Sequence, residues 1–152
     1  MSYAAVEVAL QGLLQADARF GTDEVTRGDW TVLDGGVGRY VVLYPGSFRV
    51  RRSGDWSQVT FSWSTYAEVY EVYVGPESVV TLEASVQALV DVVGANPTLG
   101  AVAGVSGAGA VGGDDVQFWY AEGEREVPGL VMQRVRVEAD EEVLYDGDGE
   151  FA

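Results

Sequence analysis

Several short stretches of this chain carry residues with chemical potential, and each makes a demand on its surroundings. Gly107-Ala108-Gly109-Ala110-Val111-Gly112 matches G-x-G-x-x-G, whose glycine amides cradle a pyrophosphate at the start of a helix. That use needs a strand before it and a helix after it. Here Gly113-Asp114-Asp115 follows, then the strand-like run Phe118-Trp119-Tyr120, and two carboxylates beside the site would repel phosphate. Gly104-Val105-Ser106-Gly107 approaches a nucleophile elbow, but Ala108 stands where a glycine is needed. Asp146-Gly147-Asp148-Gly149-Glu150 has the acid spacing of a calcium loop without its closing bidentate acid, and reads as a solvated acidic end. With 24 acids, close carboxylate pairs are unavoidable, and such pairs are the raw material of glycoside hydrolysis.

The reagents that would animate these stretches are missing. The chain has no histidine, cysteine or lysine, and all nine basic residues are arginine. Histidine proton shuttling, thiolate or amine nucleophiles and His/Cys metal ligation are therefore closed to it, and carboxylate, hydroxyl and arginine chemistry remains. No histidine is present to accept the proton of Ser106, and no lysine for a Ser-Lys variant. The composition argues for a protein that is not an enzyme, with no catalytic residue, no cofactor and no metal site.

The elements that must position any functional residue follow from periodicity. At 152 residues and 47% hydrophobic, the chain suits one folded domain with a real core. Ser2 caps a helix with apolar positions Tyr3, Val6, Leu10 and Leu13, and Glu7, Gln11 and Gln15 line its other side. Strands are expected at Trp30–Leu33, closed by Asp34-Gly35-Gly36, and at Arg39–Tyr44, stopped by Pro45-Gly46. The run Phe48–Arg52 turns at Ser53-Gly54-Asp55 into a long segment from Trp56 to Val74, forming a hairpin. Apolar parity changes within that segment, which predicts a bulge near Ser64-Thr65. Gly75-Pro76-Glu77 opens a second helix with the stripe Val79, Leu82, Val86, Leu89 and Val93, ended by Gly94. Residues 100–113 read as a flexible Gly/Ala loop. Strands at Val116–Ala121 and Leu130–Ala139 follow, the second placing Val131, Val135 and Val137 opposite Arg134, Arg136 and Glu138. The expected fold is α+β, with a mostly antiparallel or mixed sheet, a long β-hairpin and two main helices packed on one face. It occupies 1–140 as a single domain, with 141–152 as an acidic C-terminal tail.

Charge bounds the partners. The net charge is −15, and residues 113–152 hold twelve acids against three arginines. Such a surface repels phosphate, so direct sequence-specific nucleic-acid binding is not expected. No run of apolar residues is long enough to span a membrane, and the first residues lack the basic start of a secretory signal. Against this background Arg49, Arg51 and Arg52 at a hairpin tip stand out. Such charges commonly guard a sheet edge. Their sharper use is docking of carboxylates, from a partner or from the tail of a neighbouring copy.

The order of pieces resembles that of the tail terminator, or tail completion, proteins of long-tailed bacteriophages. The resemblance is carried by the amphipathic N-terminal helix, the Trp30 strand ending at Asp34-Gly35-Gly36, and Val42-Leu43-Tyr44-Pro45-Gly46-Ser47-Phe48. The aromatic strand pair, the helix at 77–93, Pro97-Thr98-Leu99-Gly100 and the closing Val/Arg strand continue it. It covers nearly the whole chain and rests on size, order and turns. It implies a structural virion protein of the tail and neck, assembled in the host cytoplasm. A hexameric ring would cap the tail tube protein, stop its polymerisation and join the head-tail connector proteins. The Gly/Ala stretch and the acidic extension depart from the pattern, and an acidic lumen would let DNA pass without sticking. Another neck, connector or tube subunit would share these features. A carbohydrate-binding module or a carboxylate-based glycosidase, using exposed aromatics, is the alternative of a different class.

For the ring, the candidate interface residues are Arg49, Arg51, Arg52 and Trp56 of the hairpin and Asp114 and Asp115 after the Gly/Ala stretch. Arg134 and Arg136 of the last strand and Glu141 and Glu142 of the tail complete the set. Charge reversal at Arg51 and Arg52 is expected to weaken assembly in a salt-dependent way.

Overall fold

The computed structural model describes residues 2–21, 24–30, 39–55, 57–120 and 128–144. Its elements run α1 (Tyr3–Ala16), β1 (Val25–Arg27), β2 (Arg39–Arg52), β3 (Gln58–Val72), α2 (Glu77–Gly94), β4 (Gly107–Gly113), β5 (Gln117–Tyr120) and β6 (Pro128–Leu144). The strands form one sheet in the order β1-β2-β3-β6-β4, with β5 also paired to β6. Among the described strands only the β1–β2 pairing is parallel. The α+β class, the long hairpin and the two helices on one face are as the periodicity implies.

Alternation along the strands creates two faces. One carries Val41, Leu43, Ala67, Val69, Val131, Val135 and Val137, and both helices lie on it. From α1 come Leu10 and Leu14, and from α2 Leu82, Leu89, Val92 and Val93. Burying each of these large aliphatics is worth about 1.5–3 kcal/mol. Ser2 Oγ accepts the Ala5 amide at 3.2 Å and starts α1 as its sequence implies.

Other expectations need correction. The Glu7, Gln11 and Gln15 side of α1 does not face solvent. Gln11 and Gln15 both donate to the Val25 carbonyl, at 3.1 and 3.3 Å, and the buried Glu7 lies 3.9 Å from Arg27. The short strand β1 docks there, and its backbone needs those donors. Pro45-Gly46 does not stop a strand either. β2 runs through it, and the bulge expected in β3 sits on the partner strand, where Gly46 and Ser47 together oppose Ser64. A proline without an N–H and a glycine whose added Cβ would stand 3.0 Å from the Ser64 carbonyl oxygen make the bulge local to β2, while β3 pairs with β6 in unbroken register.

The Gly/Ala stretch is not a loop throughout. Gly107–Gly113 forms β4, paired to β6 from Asp140 back to Val135. A neighbouring strand supplies the backbone partners, so large side chains are not required. Ala108 and Ala110 pack against the core clusters, and a Cβ on Gly113 would overlap the Arg134 carbonyl oxygen. Residues Glu141 to Leu144 continue β6 rather than starting a tail, pairing with Phe61 to Gln58. The strand expected at 31–33, Trp56 and the acidic stretch 146–150 lie outside the described residues.

Candidate functional site

Among the described residues no helix lies on the second face of the sheet, and the residues of that face follow from the same register. Rungs across β2, β3 and β6 read Arg51–Thr60–Glu142, Arg49–Ser62–Asp140, Tyr44–Tyr66–Arg136, Val42–Glu68–Arg134 and Tyr40–Tyr70–Met132. Arg52 pairs with Val59 and so belongs to the helix-bearing face. The alternation separates Arg49 from Arg52, while Arg51 and Arg52 meet in a pocket at the hairpin end. Glu141, opposite Phe61, also lies on the helix-bearing side.

Arg49 and Arg51 find carboxylates within their own chain. Arg49 Nη2 donates to Glu138 Oε1 at 2.9 Å and Arg51 Nη2 to Asp140 Oδ2 at 3.3 Å. Both guanidiniums reach across β3, which the short side chains of Ser62 and Ser64 permit, and Ser62 Oγ donates to Asp140 Oδ1 at 2.7 Å. The arginines are 57% and 56% exposed, so each pair is worth about 0–1 kcal/mol.

Further along the same face lies a cluster centred on Glu68, which is buried. Its Oε1 accepts Trp30 Nε1 at 2.8 Å and the Tyr70 hydroxyl at 2.9 Å, and its Oε2 accepts the Tyr44 hydroxyl at 2.9 Å. Burial first, then the neighbouring carboxylate, pushes Tyr70 above the ordinary phenol range. Tyr44 also shifts upward, chiefly through burial, against the opposing effect of Arg134. Arg134 donates to the Tyr44 hydroxyl at 3.2 Å, stacks its guanidinium 4.6 Å over the Tyr66 ring, and pairs with Asp114. The hydrogen bonds to Tyr44 and Asp114 raise its pKa further. Trp119 meets Tyr70 edge-on at 5.7 Å. Both Glu68 oxygens are occupied by donors, so this carboxylate cross-links strands and Trp30 rather than offering a base to a substrate.

Arg136 and Arg134 line a pocket of about 240 Å³ with Tyr66, Val111, Gly112, Gly113 and Asp114. The Arg136 Nε is buried and has no hydrogen-bond partner. A second pocket, of about 300 Å³, holds Arg51, Arg52, Ser53, Asp140 and Glu142. The structure therefore gathers Arg134, Arg136 and Asp114 in one place and Arg51, Arg52 and Glu142 in another. Asp115 is exposed between β4 and β5.

Sequence reasoning missed Glu68, Trp30, Tyr44 and Tyr70 as a unit. Its available signal was an acid spaced two residues from Tyr66 and from Tyr70, hence on their face of an aromatic strand. The G-x-G-x-x-G match lies inside β4, with strand β5 rather than a helix after it, so no helical N-terminus is there to receive a phosphate. Among the described residues no group of three acids is placed to hold a metal ion, and no helix is long and apolar enough to cross a membrane.

The chain as a whole has the fold of a chain in the virion of a native gene transfer agent particle. The two are 19% identical and superpose with a TM-score of 0.57, over 91% of this chain and 96% of the other. No family profile matches the sequence, and no curated protein matches it.

Proposed function

We propose that this protein is a non-enzymatic structural component of a phage-like virion, and that its place is the tail terminator ring. In that role copies close into a hexamer at the head-proximal end of the tail tube, end tube growth and present a surface to the head connector. The observation that carries the reading is the fold shared along almost the full length of both chains with a virion component. The order of elements and the absence of histidine, cysteine and lysine support it, since action through shape and charge needs none of those side chains.

The test is addition of the purified protein to polymerising tail tube protein, with electron microscopy of the products. Tubes ending in a ring, shortened as the protein-to-tube ratio rises, are the expected result. Incorporation along the tube length would instead make it a tube subunit. Binding to connector alone would move it to another neck position.

A further inference from the structure

We propose that the pocket at Arg136 is a socket for a carboxylate side chain of a second copy of this chain. The inference rests on the ring reading and adds the contact through which copies would recognise each other.

Arg136 lies on the open face of β6, between Tyr66 of β3 and Gly112 of β4. Among the described arginines it alone lacks a partner. Arg19, Arg27, Arg39, Arg49, Arg51 and Arg134 each have a carboxylate within 4.0 Å, and Arg52 is also engaged. A chain with 24 acids has no shortage of carboxylates, so the vacancy is geometric. Glu138, one rung away, is taken by Arg49, and Asp114 is taken by Arg134. The neighbour on β4 is a glycine, with no side chain to offer.

The buried, unpartnered Nε makes this state costly, because an unsatisfied buried donor loses its hydration without recompense. Space for an acceptor exists on the pocket side of the half-buried guanidinium. Gly112 has φ +142°, which side-chain-bearing residues avoid, and nothing lies within 4 Å of where its Cβ would stand. Two guanidiniums against one carboxylate give the pocket a net positive charge. A planar fork next to an aromatic wall suits a planar carboxylate.

The occupant is identified by charge and position. The rest of the molecule is strongly acidic, at net −15, so a second copy brings carboxylates on nearly any approach. The pocket is built on β4, the last strand of the sheet, so a copy arriving at that edge reaches it. A free phosphate has compatible chemistry, and the experiment separates the two.

Sedimentation velocity measures self-association of the parent, R136Q and R136K at low and high salt. The Arg136 Nε–H NMR signal is followed in parallel on the unmutated protein. R136Q is expected to weaken association roughly 10- to 100-fold at low salt and to flatten its salt dependence. R136K should weaken it less, and the Nε–H signal should shift and exchange more slowly as copies associate. If the parent associates and R136Q matches it, with no Nε–H shift, the socket is wrong and the ring reading stands. If inorganic phosphate shifts the signal in dilute monomer while association does not, the pocket is a free-anion site and the proposal falls. If the parent neither associates nor caps tubes, the ring reading fails and takes the socket with it.

Discussion

The two faces of this sheet are built by the same strands in strict alternation, yet different interactions hold them. On the helix-bearing face Val41, Leu43, Val69, Val131, Val135 and Val137 meet aliphatic stripes of α1 and α2, and stability comes from area removed from water. On the open face Glu68 is surrounded by Trp30, Tyr44 and Tyr70, and stability there depends on every polar atom finding its partner. The first arrangement tolerates exchange of one aliphatic for another of similar volume. The second is intolerant, because one lost acceptor strands several buried donors.

Substitutions on each face test that contrast. Leu89→Ala, at a fully buried position of α2, should lower unfolding free energy by about 3–4 kcal/mol in urea titrations. Glu68→Leu, which improves hydrophobicity while orphaning three donors, should cost about 2–3 kcal/mol. Adding Tyr70→Phe to it should recover part of that loss, and strict additivity of the two changes would refute the account of the cluster. Gly113→Ala should cost about 2 kcal/mol, since the added Cβ pushes the end of β4 away from the Arg134 carbonyl. Hydrogen exchange of β4 amides would show it as local opening. Arg49→Ala should change stability by less than about 1 kcal/mol.

The smallest effect is in pH dependence. Asp55 Oδ1 accepts hydrogen bonds from the Ser53 and Ser57 hydroxyls, both at 2.7 Å, and from the Ser57 amide at 3.1 Å. These bonds hold its pKa at about 2, below the ordinary carboxylate value of 3.8. A lowered folded-state pKa means the contribution is present above about pH 4 and disappears as pH falls toward 2. Asp17 behaves in the same way through Arg19. The urea midpoint of Asp55→Asn should therefore fall less steeply over that window than the parent's.

The covered face was legible because large aliphatics at three- and four-residue spacing have few alternatives to a buried helix, and α2 runs from Glu77 to Gly94 as its stripe implies. The alternation of Val131, Val135 and Val137 against Arg134 and Arg136 was equally plain. Two edges of the sheet were not. β1 is only three residues long and β4 is nearly all glycine and alanine, so neither carries a periodic apolar signal. Both exist because a neighbouring strand completes their hydrogen bonds. The bulge was correctly located across the sheet but assigned to the wrong strand, since the parity change in β3 records the aromatics Tyr66 and Tyr70 standing on the open face, while Ala67 and Val69 continue the helix-bearing one without a break in pairing.

Alone, the sequence determined that histidine, cysteine and lysine chemistry is absent, that the surface is acidic, and which stripes form the core. Those are properties of residue identity and of spacing along one chain. Only the tertiary structure decided that Arg49 and Arg51 are satisfied internally by Glu138 and Asp140, that Glu68 anchors a buried cluster, and that Arg136 is left without a partner. Each depends on side chains distant in sequence meeting on neighbouring strands, and that distance is set by strand register, which no local pattern records.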